Sequence, residues 1–295
     1  MSKYFSNALL EAYKHRDMGG RRHDVVYASD ASVALVLGDE TKVYGGCLRK
    51  QYYRITETPQ SDPEGPGESF VAGVGEAVHE QVVSIFGTAE HLVSAEIPVW
   101  IEKIKLSGRI DAIIRPEKKR IGVEIKSVGG YRNITGTIKP TRNAAFAPKI
   151  GHLCQTLVYA DHMFEKTDQE MDEWIIVYID REMGSFAEHH IRYVSENEIW
   201  VNDEPSSVTP ARIYSRWDTL WKHIENKTLP DRDYEIQYSK EKLKKMADAG
   251  TLNRKDAQTV NAGKMIDKGD NECRWCLHRT LCWTDNTNVK NTKTE

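Results

Sequence analysis

Two apolar, strand-like runs lying close together constrain this chain most. The first spans Ile101 to Ile114 and the second Arg120 to Ser127. Each carries charge where a plain core strand would not: Gly108-Arg109-Ile110-Asp111 in the first, Glu124-Ile125-Lys126 in the second. A hairpin of these strands brings Asp111 and Glu124 side by side. Two carboxylates beside one lysine suit a hard divalent cation, which takes oxygen ligands. Such a cation makes hydroxide from water and neutralises charge on a phosphate. The lysine can orient that water or steady the transition-state charge. Taken alone, the same strings also fit an exposed strand that alternates Glu and Lys.

The chain has 295 residues, enough for one large domain or two small ones. At 39% hydrophobic it can build a core, and at 29% charged it is soluble. No apolar run is long enough for a membrane span or a signal peptide, so an intracellular, cytoplasmic location is expected, or a host cytoplasm if a phage encodes it. A net charge of −3 excludes a generally basic nucleic-acid coat. Local charge differs: from Arg115 to Lys149 nine basic residues face two acidic ones, Glu117 and Glu124. That bias suits a phosphate backbone, and also a solvated loop.

Pro and Gly mark Thr58–Gly67 as a loop. After it Val71, Val74, Val78, Val82 and Ile85 recur at helical steps, with His79 beside that stripe. Strands are expected at about 92–102, 105–115 and 120–127, and a glycine-rich basic loop at 129–147. A helix over about 149–164 turns Ile150, Leu153, Leu157 and Phe164 to the core. Strands at 174–179 and 186–194 and helices at 210–226, 240–249 and 254–265 complete the pattern. The tail from Asp285 is polar and expected to fray. Alternating helices and strands predict an α/β fold with a mixed sheet flanked by helices.

On the 149–164 helix Gln155 and Tyr159 stand four apart and share a face. In order the polar residues are then His79, Gly108 to Asp111, Glu124 to Lys126, and Gln155 with Tyr159. This order resembles the nuclease domain of the RecB-like branch of the PD-(D/E)XK superfamily, over about Val71 to Tyr159. The resemblance implies a restriction-endonuclease-like core and Mg²⁺ or Mn²⁺ held by His79, Asp111, Glu124 and the Ile125 carbonyl. It implies catalytic roles for Asp111, Glu124, Lys126, Gln155 and Tyr159, the last two positioning the nucleic acid. Arg132, Lys139, Arg142 and Lys149 would contact flanking phosphates.

Five cysteines extend the pattern: Cys47, Cys154, Cys273, Cys276 and Cys282. Cys154 lies inside the Gln–Tyr helix and reads as a small buried apolar residue. The others make one early cysteine and a late Cys-x2-Cys-x5-Cys. Four soft thiolates bind zinc or an iron–sulfur cluster, with His278 a possible substitute ligand for zinc. The spacing is similar to the iron–sulfur subgroup of these nucleases, which includes the AddB nuclease domain and CRISPR-associated spacer-acquisition exonucleases. By that resemblance the four cysteines carry a 4Fe–4S cluster that staples the chain ends around the core. From their place beside it, Trp275 and Trp283 are expected to shield it from solvent. The expected organisation is one nuclease domain over 1–295, with its core at about 68–195, a staple from 47 and 273–282, and a helical segment at 196–270.

The expected function is metal-dependent exonucleolytic hydrolysis of DNA, preferentially single-stranded and with free ends. No phosphate-cradling Gly-x-x-x-x-Gly-Lys-Ser/Thr loop is present, so strand opening would need a helicase or recombination partner. The alternative is a DNA-binding adaptor subunit without turnover, with a zinc or iron–sulfur staple.

Overall fold

The structure is a computed structural model that describes residues 22–63, 66–130, 134–141, 145–166 and 171–284. Arg132, Arg142 and the tail from Asp285 lie outside the described residues. The chain divides into two compact units. One runs to Gly46 and resumes from Glu64 to Thr228; the other takes Cys47–Pro63 and the chain from Leu229 onward.

The first unit is built on an eight-stranded mixed sheet. In chain order its strands are β1 (Val26–Tyr27), β4 (Leu92–Ile101), β5 (Leu106–Ile114), β6 (Ile121–Val128), β7 (Glu173–Asp180), β8 (Phe186–Ser195), β9 (Glu198–Val201) and β10 (Glu204–Pro205). A separate hairpin joins β2 (Ser32–Leu37) to β3 (Glu40–Gly45). β5 is the hub. β4 runs antiparallel along its whole length on one side. On the other side β1 takes its first residues in parallel, and β6 takes its last three, Ala112 to Ile114, in antiparallel. The sheet is therefore split beside residues 108–111. β6 pairs in parallel with β7, and β8, β9 and β10 follow antiparallel.

Strand side chains alternate between faces. Ala112, Ile114, Val123, Ile125, Ile175 and Val177 form one apolar face, which meets Val82, Val83 and Phe86 of helix α2 (Pro66–Thr88). Each such side chain, once buried, stabilises by roughly 1.5–3 kcal/mol. The opposite parity carries Gly122, Glu124 and Lys126 on β6 and Trp174, Ile176 and Tyr178 on β7. Gly122 leaves room for Trp174, since a Cβ there would fall 2.4 Å from the indole ring. Helix α3 (Ile150–Lys166) buries Leu153, Leu157 and Val158, and α4 (Pro210–Glu225) buries Ile213, Trp217 and Leu220.

The second unit joins helix α1 (Leu48–Ile55) to α5 (Lys240–Asp248), α6 (Arg254–Asn261), α7 (Asn271–Arg274) and α8 (Arg279–Thr284). Ser239 and Asn253 cap α5 and α6 through their side-chain oxygens, which satisfies first-turn N–H groups. Tyr238, Leu243, Leu252 and Val260 make a small core between them. The two chain pieces are tied by Leu48 N–H donating to Asp233 Oδ2 at 2.8 Å and by Asp62. Asp62 accepts from Thr280 N–H at 2.7 Å and pairs with Arg279 at 2.8 Å. These donors hold the Asp62 carboxyl well below the usual range, the Thr280 N–H most of all.

Several expectations change. Val71, Ile85 and Phe164 are exposed: Ile85 lies off the helix face that carries Val82, Val83 and Phe86 onto the sheet, and Phe164 keeps a ring contact with Tyr193. The last charged helix stops at Asn261, where Gly263 takes a left-handed φ of 78°. The segment 196–270 opens on strands β9 and β10 before it turns helical.

Candidate active site

The split in the sheet positions the acidic pair. Continuing the β5–β6 register one step places Asp111 opposite Glu124, and the β4–β5 register places Glu96 opposite Asp111. At this level β5 and β6 have parted, and the Asp111 carboxylate itself accepts the Ile125 N–H at 2.7 Å. The N–H and C=O of one strand residue face the same neighbour. The Ile125 carbonyl therefore opens on the same gap.

Glu124 is 1% exposed, with Lys126 Nζ 2.5 Å from its Oε1. Neither carboxylate oxygen makes a hydrogen bond of good geometry. Burial pushes this carboxyl up to about 7; Lys126 pulls it back and Asp111 adds to the rise. For Lys126 burial works against the charge, but Glu124 and Asp111 outweigh it and keep the ammonium protonated. His79 Nε2 stands 3.1 Å from Asp111 Oδ1, again without good hydrogen-bond geometry. The Asp111 carboxylate, opposed by burial and helped by Glu96 and Glu124, raises the imidazole above its ordinary value.

Buried polar atoms without partners are costly and call for a partner. Two carboxylates, a carbonyl and an imidazole fit a divalent cation, and the Glu124 oxygens, beside Lys126 but without a hydrogen bond of good geometry, can accept one. Among the described residues, no three His, Cys, Asp or Glu groups are gathered closely enough to hold an ion as they stand.

Lys126 Nζ also donates to Gln155 Oε1 at 3.1 Å. Tyr159 OH accepts from Arg109 N–H at 3.2 Å and from Gln155 Nε2 at 3.4 Å. Tyr159 is 2% exposed, so its ring offers no face for stacking. It braces β5 instead, and explains Gly108: a Cβ there would lie 2.8 Å from the Tyr159 ring. Cys154, beside them on α3, is fully buried, as an apolar residue would be.

Glu96 was not legible as a site residue. It takes a left-handed φ of 53°, contacts His79 Nδ1 at 3.4 Å and pairs closely with Arg109. A non-glycine residue so placed costs of order 1–2 kcal/mol, which suggests a task. The one signal was a lone acid in the otherwise uncharged strand 92–101. Lys139 and Lys149 are exposed. The Lys139 loop is pinned by buried His189, whose Nε2 meets Thr137 O at 2.7 Å. Arg115 to Arg120 cluster at the β5–β6 turn, four residues and about 13 Å along the strand from Asp111. The basic segment is thus not one patch.

In the second unit, Cys47, Cys273, Cys276 and Cys282 line one cavity, with Arg49, Lys50, Arg232, Asp233, Glu272 and Trp283 among its walls. All four are free thiols. Burial pushes the Cys47 and Cys273 thiols up to about 12 and raises Cys276 as well. The donor set fits a thiophilic metal centre, whose positive charge would compensate for that burial. Trp283 stacks on Arg232 at the wall, but Trp275 is 62% exposed and shields nothing. His278 packs on Tyr53 at 5.0 Å and is not among the cavity walls.

The sequence matches a family profile described as the PD-(D/E)XK nuclease superfamily over residues 7–283. No curated protein matches. Among solved structures, one named "Crystal structure of SSO0001" is 16% identical, covers 94% of this chain and 96% of that one, and superposes with a TM-score of 0.44. No helix among the described residues is long and apolar enough to cross a membrane.

Proposed function

The chain belongs to the PD-(D/E)XK nuclease superfamily, and from that membership we propose that it is a Mg²⁺- or Mn²⁺-dependent deoxyribonuclease, an exonuclease acting preferentially on single-stranded DNA. The observation that carries this reading is the split between β5 and β6, where Asp111 and the buried, Lys126-paired Glu124 carboxylate meet. Asp111, Glu124, His79 and the Ile125 carbonyl would hold the cation. When bound, it lowers the pKa of a water and neutralises charge on the phosphate. Lys126, held protonated, donates toward the non-bridging phosphate oxygens or the incoming water. Gln155 fixes the Lys126 ammonium in that position. Lys139 and Lys149, with Arg132 and Arg142, would contact flanking phosphates.

The four cysteines are read as ligands of a 4Fe–4S cluster, and the wall they share supports one common site for them. Absorbance near 400 nm from thiolate-to-iron charge transfer would support the cluster; a colourless protein holding zinc would replace it.

The test is digestion of end-labelled single- and double-stranded DNA with Mn²⁺ and with EDTA. The single-stranded substrate should be shortened from its ends only with Mn²⁺. Asp111→Ala and Lys126→Ala should each cut the rate by at least about 100-fold with the fold kept. Wild-type rates in either variant would remove this site from the mechanism. Binding without fragments in both conditions would favour an adaptor.

A further inference from the structure

Arg49 is 2% exposed and is among the largest fully buried side chains. It follows Cys47 on the first turn of α1. Its Nε donates to the Pro230 carbonyl at 2.7 Å, and its Nη1 to Cys282 Sγ at 3.8 Å. Among the described residues no carboxylate pairs with it. Three other cations line the cavity: Arg279 pairs with Asp62, Arg232 binds the Cys282 carbonyl and stacks on Trp283, and Lys50 is exposed, so Arg49 is the fully buried one.

A guanidinium stays charged in any protein environment. Burying it against a carbonyl and a sulfur, with Asp233 and Glu272 on the same wall but neither paired with it, leaves the charge poorly compensated, which is unfavourable. The conflict disappears if the sulfur is a thiolate of an anionic centre. Four thiolates around one Zn²⁺, or around a 4Fe–4S core of charge 2+, leave two net negative charges in the cavity. Arg49 then becomes a charge-assisted donor to Cys282 and offsets part of that charge. Partners of this kind, one bond beyond the ligands, hold ligand geometry and metal affinity together.

We propose that Arg49 is the built-in counter-charge of the four-cysteine centre, acting on the metal through the Cys282 sulfur. This rests on the reading that the four cysteines hold a metal, whichever metal it is. Arg49 is a positioning residue and touches no substrate. A purely mechanical alternative exists: the side chain could simply strap α1 to Pro230.

Charge and strap separate in two variants. Arg49→Lys keeps the charge and loses the fork; Arg49→Gln keeps an amide donor for Pro230 and loses the charge. Wild type and both variants are purified anaerobically, assayed for iron, sulfide and zinc, and then challenged with a chelator while metal release is followed optically. The expected result is release about 10- to 100-fold faster in Arg49→Gln than in wild type, with Arg49→Lys close to wild type. At equal loading, the thiolate-to-metal absorption should shift in Arg49→Gln. Equal release from all three proteins would overturn the proposal. So would a Gln variant that matches wild type while the Lys variant fails, which is the strap's signature. A metal-free wild type would bring down the metal reading and this inference together; a loaded wild type with unaltered variants would bring down only this one.

Discussion

Glu124 faces opposite demands. Burial favours its protonated form, with the carboxyl pushed up to about 7, whereas cation binding requires the anion. His79 adds to the conflict, since Asp111 raises its pKa and a ligating imidazole must be neutral. Mn²⁺ affinity should therefore climb with pH toward and past about 7, up to about tenfold per pH unit for the Glu124 proton, with His79 adding to the slope. Calorimetric titration across that range checks this, and a flat profile would exclude Glu124 and His79 as ligands. Without metal the sign reverses. A folded-state pKa above the unfolded one means stability falls as pH rises from about 4.5 toward 7, where the native state holds the extra proton. Gly108 belongs to the same scale. Gly108→Ala should destabilise by about 1–3 kcal/mol in urea titrations, because the Cβ would meet the Tyr159 ring at 2.8 Å. Replacing Tyr159 by Leu in the same chain should recover part of that loss. At this scale Asp111, Glu124 and Lys126 were legible because charge stood out in apolar strands. Glu96 was not, because its role depends on a register two strands wide and on a backbone turn that composition does not encode.

Among the elements, the hairpin of β5 and β6 is the decisive one. Its apolar runs announced the strands, and their spacing announced the pairing. The split was hidden: β5 exchanges β6 for β1 partway along, and β1 is two residues long and far upstream. No local pattern marks a strand that changes partners. The helix at 210–225 followed from its apolar face, and the one at 240–248 read as a short charged helix. The β2–β3 hairpin and α1 escaped notice. α1 is an eight-residue helix whose buried residues include Arg49 and Gln51, so polarity disguised a buried face. Tyr159 reads from sequence as a residue that positions the nucleic acid, but α3 turns its ring inward, where it is 2% exposed.

At the scale of the whole molecule the two units answer to different forces. The first rests on a continuous apolar sheet, and the second on a small core, the Asp62 ties and the cysteine cavity. Stripping the centre should therefore act unevenly. Hydrogen exchange should show protection lost in 47–63 and from 229 onward, while β5 to β7 keep theirs. Equal loss throughout would mean that the chain folds as a single cooperative body. The cysteine spacing made this second unit partly legible, because thiolate sites need few residues to define them. Its extent was not, since the segments between the cysteines carry no motif. The unit also has a history in time. Arg49 and Cys282 are 233 residues apart, and a ribosome adding about 5–20 residues per second needs roughly ten to fifty seconds to join them. Through that interval the segment 47–63 is already made and waits for its other half, while every residue of the candidate active site leaves the exit tunnel first. A message cut short before the last cysteine would thus yield a chain with all the proposed catalytic residues and no completed centre. Such products would be a ready target for cellular quality control.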